Sequence, residues 1–346
     1  MTSELDDLAG AVRSVIERRW SPAALRAAID APEGFDRELW SVLCEQVGVA
    51  ALAVPEAYDG VGAGVRALQV VAEQLGRHLI PSPFLGSSVL ATALLSETDE
   101  AELLAGLASG ERIAAVAFAG EDFAARPITA ADGALSGTAH FVLDGDLADD
   151  LLVVAGDELY LVDGGATARR HTPSMDPTRR FAEVVLDGAP ARLLRDGASA
   201  ALARALDTTC AVLAAEQAGA AARALEITVE YTGSRVQFGR PIGSFQALKH
   251  RMADLYVLVE SARSAALAAG DALDRGDEDA ALAVATAKTY CSEAFSTDAA
   301  EMIQLHGGIG ITWEHDAHLY FKRAHSSSQL FGDPAHHLAR RELTHS

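Results

Sequence analysis

A change in hydrophobic period limits the possible folds more than any other feature of the chain. Up to about residue 110, apolar positions recur at helical spacing, as in Leu5, Leu8, Val12 and Ile16, and again in Leu39, Val42 and Leu43. From Ile113 to about Leu193 the period becomes two. Residues 141–143, 151–154, 159–162 and 184–186 are short apolar runs separated by Gly/Asp turns, which is the pattern of strands. From Gly197 onward the helical period returns in long runs rich in Ala, Leu and Glu, all strong helix formers. At 346 residues the chain is long for one core. The order helices, strands, helices predicts an α+β multi-domain protein. The expected parts are an N-terminal helical domain over residues 1–112, a central β-domain over 113–195 and a C-terminal four-helix bundle over 196–346.

Charge narrows the partners. The 49 acidic and 28 basic residues leave a net charge of −21, which argues against nucleic acid and anionic membranes. A polyanionic ligand would therefore need a local cluster of positive groups. Cys44, Cys210 and Cys291 are few and far apart, so neither a disulfide framework nor a zinc spacing is indicated. The acidic N-terminus lacks a signal-peptide core, and no uninterrupted apolar run reaches spanning length, so a cytoplasmic chain is expected. His315 and His318 could share a helix face with Asp316 beside them, but no third ligand is pinned by spacing. A solvated polar face is the expectation, with no metal.

Residues 234–255 combine three chemistries in one short stretch. Arg235 is a planar cation suited to phosphate oxygens. Phe238 offers a flat apolar face, and Gln246 an amide that both donates and accepts. Gly239, Pro241 and Gly243 make a tight connection, Ser244 could cap the next helix, and Leu248, Met252, Leu255 and Val259 form an apolar stripe. Taken alone, this is equally a helix–turn–helix corner whose arginine pairs with a carboxylate. Further on, Gln304 precedes Gly307, Gly308 and Gly310, where the backbone could approach a ligand and offer N–H groups to an anion. Taken alone, that is also an ordinary helix stop.

Together the two runs resemble the acyl-CoA dehydrogenase family. The stretch RVQFGRPIGSFQALKHRMADL is similar to its R-x-x-F-G-x-P-I-x-x-F-Q signature, and QLHGGIG to its Q-x-x-G-G-x-G loop. Residues 39–62 resemble the helical N-terminal domain, whose Pro-Glu-x-Tyr-x-Gly turn lies near the acyl pocket; here a plain connector is the alternative. Residues 135–155 and 174–190 resemble strands of the central β-domain. The resemblance implies FAD as cofactor, an acyl-CoA thioester as substrate, and electron-transfer flavoprotein or a similar acceptor as redox partner. It also implies that Arg235, Phe238, Gln246, Gln304, Gly307 and Gly308 grip the ADP half of an FAD whose ring lies in a neighbouring subunit.

The chain departs from that family where flavin and proton chemistry would be felt. A T-E-P-x-x-G-S-D loop is missing from the region reading AVAFAGEDFAARP. Phe141 stands where a Trp usually flanks the flavin ring, and Leu143 where a hydroxyl residue is usual. The two family positions for the catalytic glutamate fall at Phe331 and Thr209, and neither side chain is a base. Asp333 and Ala335 replace residues that touch the flavin phosphates. Glu216, in an apolar helical stretch two turns beyond Thr209, is the weak candidate for a relocated base; pairing with an arginine such as Arg223 is the plainer expectation. Asp176, Thr178 and Arg179 could bind a ligand, or could close a turn through their side chains. Three functions follow. The chain is a degenerate partner in a heteromeric acyl-CoA dehydrogenase, a self-sufficient homo-oligomer with a relocated base, or a flavin-free scaffold.

Overall fold

The computed structural model describes residues 2–118 and 128–343. The chain forms two compact units, one of residues 1–26, 65–80 and 210–346, the other of residues 27–64 and 81–209. In chain order the helices before the strands are α1 (Thr2–Arg19), α2 (Pro22–Asp30), α3 (Arg37–Val47) and α4 (Val65–Arg77), then α5 (Thr92–Leu95) and α6 (Ala101–Ala108). A wide helical turn, Phe84–Ala91, runs directly into α5.

Among the described residues, eight strands occupy the segment where the apolar period is two. They are β1 (Ala114–Ala117), β2 (Thr129–Ala131), β3 (Ala134–Leu143), β4 (Asp150–Ala155), β5 (Glu158–Asp163), β6 (Ala168–Thr172), β7 (Phe181–Pro190) and β8 (Arg192–Asp196). One sheet has the order β1-β4-β5-β8, with β1 parallel to β4, and the other is the antiparallel order β2-β3-β7-β6. Leu135 and Ala139 of β3, Leu151 and Val153 of β4, and Val184 and Leu186 of β7 share one buried cluster, so the sheets pack face to face. β4 is buried at all six positions, which explains why its run LLVVA does not alternate. Thr178 donates through both its backbone N–H and its hydroxyl to Asp176 Oδ1, at 2.9 and 2.5 Å. That pair closes a turn by side-chain bonding.

The unit of residues 1–26, 65–80 and 210–346 is built on long helices. α7 (Ala198–Ser234) leads into a hairpin of β9 (Val236–Gln237) and β10 (Arg240–Pro241). There follow α8 (Gln246–Arg275), α9 (Ala280–His306), α10 (Ala317–Gln329) and α11 (Pro334–Leu343). Small side chains make the core between α7, α8 and α9: Ala211, Ala214, Ala218, Ala262, Ala266 and Ala287 lie in one cluster. α7 is long and apolar enough to cross a membrane by length and composition, yet over half of its apolar window is buried within the protein. Gln69 of α4 donates to the carbonyls of Ala211 and Ala266 at 3.0 and 2.6 Å, knitting three helices together.

α4 and α7 approach backbone to backbone. A Cβ on Gly76 would lie 2.1 Å from the Glu216 carbonyl oxygen, and one on Gly219 would lie 2.3 Å from that of Glu73. Gly219→Ala is expected to destabilise the chain by about 1–3 kcal/mol, the usual cost of overpacking. Denaturant titration checks this, and an unchanged midpoint would show that the helices part freely.

Asp298 sits on α9 between two ties to α8: the Cys291 thiol to the Ala262 carbonyl, and Arg251 to Glu301. Neither of its buried carboxylate oxygens has a hydrogen-bond partner among the described residues. Burial, and secondarily Glu301, push its pKa up from 3.8 to about 8. The folded value exceeds the unfolded one, so ionisation opposes folding. The penalty is absent below the ordinary carboxylate range, grows as pH rises, and is complete above about pH 8. Asp298→Asn should therefore raise stability more at about pH 8.5 than at about pH 5, by as much as about 4 kcal/mol, since each pKa unit is worth about 1.4 kcal/mol. Equal gains at both pH values would show that the group does not titrate in the fold.

Candidate functional site

At the end of α7 the chain reverses through a two-residue turn, Phe238-Gly239, with φ of +52° and +75°. Two positive φ values are the signature of a type I′ hairpin turn. Gly239 adopts its value freely, whereas the left-handed region costs Phe238 roughly 1–2 kcal/mol. The Phe238 ring is nevertheless 91% exposed. Backbone and hydration free energy both oppose this placement, which marks the hairpin tip as a contact surface. The Phe245 ring packs edge-on to Phe238 at 6.2 Å and carries the Arg240 guanidinium on its face at 3.9 Å.

The hairpin base is closed by backbone bonds. The Arg235 N–H donates to the Tyr231 carbonyl and the Ile242 N–H to the Arg235 carbonyl, each at 2.8 Å. The Arg235 side chain is exposed, and among the described residues it meets no carboxylate. Sequence reasoning singled out Arg235 and missed its company. Between Glu230 and Asp254 there is no acidic residue, while Arg235, Arg240, Lys249 and Arg251 all lie there. In a chain of charge −21 that run is a local reversal of sign. Gln246 opens α8, where first-turn N–H groups have no partner within the helix. Ser244 does not cap that helix as expected; its hydroxyl donates to the Pro241 carbonyl at 2.7 Å and closes the preceding turn.

Gly307 ends α9 with φ +62° and ψ −142°, a combination almost confined to glycine. Its N–H donates back to the Gln304 and Ile303 carbonyls. That N–H is thus committed to the helix cap, contrary to the expectation that it faces an anion. A Cβ built on Gly307 or Gly308 would meet nothing within 4 Å, and Gln304 is exposed, so the loop is an open surface.

Aromatic rings join the two segments. Tyr231, whose carbonyl holds the Arg235 N–H, stacks on His306, the residue before Gly307, with centroids 4.4 Å apart. Arg235, Phe238 and Gln246 on one segment and Gln304, Gly307 and Gly308 on the other therefore sit at neighbouring helix ends. His315 and His318 form ring contacts, with His306 and Trp313 respectively. A separate cavity of about 520 Å³ is lined by Arg13, Arg77, Arg223 and Arg263. Arg77 and Arg223 are already bound to Glu226, and Arg263 lies 3.5 Å from Glu73, so much of its positive charge is neutralised internally.

The description "Acyl-CoA dehydrogenase, N-terminal domain" matches residues 2–111, and "Acyl-CoA dehydrogenase, C-terminal domain" matches residues 195–339. The chain is 44% identical over 342 residues to the acyl-CoA dehydrogenase IpdE2 of Mycolicibacterium smegmatis, covering 99% of each chain. The chain belongs to the acyl-CoA dehydrogenase family. It is also 34% identical over 355 residues to the acyl-CoA dehydrogenase FadE34 of Mycobacterium tuberculosis, with 98% of this chain matching 48% of that one. Among solved structures, the ChsE4-ChsE5 complex from Mycobacterium tuberculosis superposes with a TM-score of 0.89 at 30% identity, over 100% of this chain and 98% of the other.

Acyl-CoA dehydrogenases are oxidoreductases acting on acyl-CoA, and this chain carries no base at either expected position. Thr209 is fully buried and donates to the Ala205 carbonyl at 2.7 Å. Phe331 takes φ +60° and packs against the helical core. Its corner is fastened by the buried Lys288 ammonium, which donates to the carbonyls of Ser327, Ser328 and Gly332 at 3.2, 3.0 and 3.2 Å. Burial lowers the Lys288 pKa to about 8. Glu216 is buried with its Oε1 3.4 Å from Arg323, so its partner is Arg323; Arg223 binds Glu226 and Glu230 instead. In the other unit, Phe141 sits at a bulge of β3 with φ +55°, half exposed, and Leu143 is buried. Most of the region reading AVAFAGEDFAARP, from residue 119 on, lies outside the described residues.

Removing the Glu216 charge takes a carboxylate away from a buried guanidinium. Glu216→Gln is expected to cost roughly 3 kcal/mol, as for one-sided loss of a buried pair. Glu216→Leu combined with Arg323→Met should recover most of it. Chemical denaturation reads both, and a neutral single variant would contradict the pairing.

Proposed function

We propose that the chain is one subunit of an FAD-dependent dehydrogenase that introduces an α,β double bond into an acyl-CoA thioester. It lends the Arg235 hairpin and the glycine loop to the ADP half of a flavin seated mainly in a second, related subunit. One observation carries this: an open cationic surface at the helix ends, in a chain whose family base positions hold Thr209 and Phe331. A relative twice as long agrees with pairing of two such units, because FadE34 matches this chain over 48% of its length. The ChsE4-ChsE5 relative was solved as a complex of two named components.

In this scheme the Arg235 guanidinium donates to diphosphate oxygens as a charge-assisted pair. Phe238 covers a planar ring, Gln246 and Gln304 supply amide contacts, and Gly308 leaves room for backbone approach. When bound, FAD supplies the acceptor for the β-hydride. The α-proton goes to a carboxylate of the second subunit, because the Thr209 hydroxyl is spent on a carbonyl and Phe331 has no basic atom. Electron-transfer flavoprotein or a similar acceptor would carry the electrons onward.

Flavin absorbance per protein tests the assignment. The chain alone should be colourless and its co-expressed complex yellow. Arg235→Glu should lower flavin per complex at least about tenfold, a loss of about 1.4 kcal/mol. Unchanged flavin would remove Arg235 from the site. A yellow homo-oligomer bleached by acyl-CoA, with turnover abolished by Glu216→Gln, would favour the self-sufficient alternative.

A further inference from the structure

The arginine hairpin and the glycine loop are held together by rings that can become charged. His306 is only 3% exposed. Its Nδ1 lies 2.7 Å from the Met302 carbonyl, so that nitrogen carries the proton. Its Nε2 has no hydrogen-bond partner among the described residues. One face of the ring stacks on Tyr231, and His315 lies against it with centroids 4.4 Å apart. The His315 Nδ1 accepts the Ala317 N–H at 3.1 Å, so that nitrogen is unprotonated.

Charged neighbours around this stack leave little to welcome a further cation. Arg26 of α2 bonds to Asp316 and to the Trp313 carbonyl, at 2.6 and 3.0 Å. Among the described residues Asp316 is the acid facing the group, and it is held by Arg26. His318 packs on Trp313, whose ring also carries the Lys322 ammonium at 4.7 Å. A proton added to His306 Nε2 would be a buried donor with no acceptor. A proton added to His315 Nδ1 would break its bond from Ala317. Burial is the largest influence on His306, His315 and His318, and it holds all three below the ordinary imidazole value.

We propose that Tyr231, His306 and His315 are positioning residues that hold the arginine hairpin against the glycine loop only while both imidazoles are neutral, so that acidification releases the flavin half-site. This rests on the half-site assignment made above. The sign follows from the depressed folded values. The contribution is complete above the ordinary histidine range near pH 6.5, and it is lost as pH falls through that value toward the folded ones.

Two measurements decide it. In the co-expressed complex, flavin release followed by fluorescence should accelerate at least about tenfold between about pH 7.5 and pH 5.5. Replacing both rings, His306→Phe with His315→Phe, keeps rings for stacking that cannot be protonated, so the double variant should flatten that dependence, and Tyr231→Phe should behave as wild type. A double variant that still loses flavin as steeply as wild type overturns the proposal. The second measurement uses the chain alone and needs no variant. After correction for intrinsic rates, hydrogen exchange at about pH 5.5 should rise together in residues 235–242 and 307–312. Exchange that rises in only one segment, or in neither, also overturns it, whatever the flavin does. If both pH effects appear but Arg235→Glu leaves flavin content unchanged, the coupling stands and the half-site assignment fails.

Discussion

Two helix ends meet through the stack of Tyr231 on His306, and the placement of every residue assigned to nucleotide binding depends on that contact. The arginine hairpin leaves α7 one turn beyond Tyr231, and the glycine loop begins at the residue after His306. Among the described residues Arg235 meets no carboxylate, while Arg251 further along α8 binds Glu301 of α9 at 2.6 Å. A stack of flat rings fixes spacing without consuming the polar groups around it. The Arg235 side chain is thereby left exposed.

That contact is possible because the bundle beneath it is narrow. Alanines between α7, α8 and α9, and the glycine-to-carbonyl approaches at Gly76 and Gly219, bring the helix axes close and fix their relative height. Gln69 adds a cross-link that reads three helices at once. The same tight packing leaves the Asp298 carboxylate with no hydrogen-bond partner among the described residues, so the bundle carries a buried acid that works against it.

The architecture was legible because the hydrophobic period changes twice, at about residues 113 and 197, and strands begin and end close to those points. The reversal after α7 was legible as a tight connection from Gly239, Pro241 and Gly243, but not as a two-strand hairpin turning at Phe238-Gly239. What remained hidden was long-range. The Glu216–Arg323 pair joins α7 to α10, and no periodicity links those positions; Arg223 was the nearer choice and binds its own helix instead. Asp298 gave no signal because a lone acid in a mixed helix looks solvated until its neighbours are known. Ser244 has the residue type of a cap, but the turn before α8 takes its hydroxyl first. The Gly307 N–H was misjudged for a similar reason, since the end of α9 claims it.

An open cationic surface and the non-basic side chains at Thr209 and Phe331 suit the proposal that this chain completes a site begun elsewhere. Phosphorus NMR of a flavin-loaded second subunit, titrated with this chain, tests that directly. The account predicts that the two diphosphate resonances shift as the chain is added and saturate at a fixed ratio. Association of the two proteins with both resonances unmoved would contradict it.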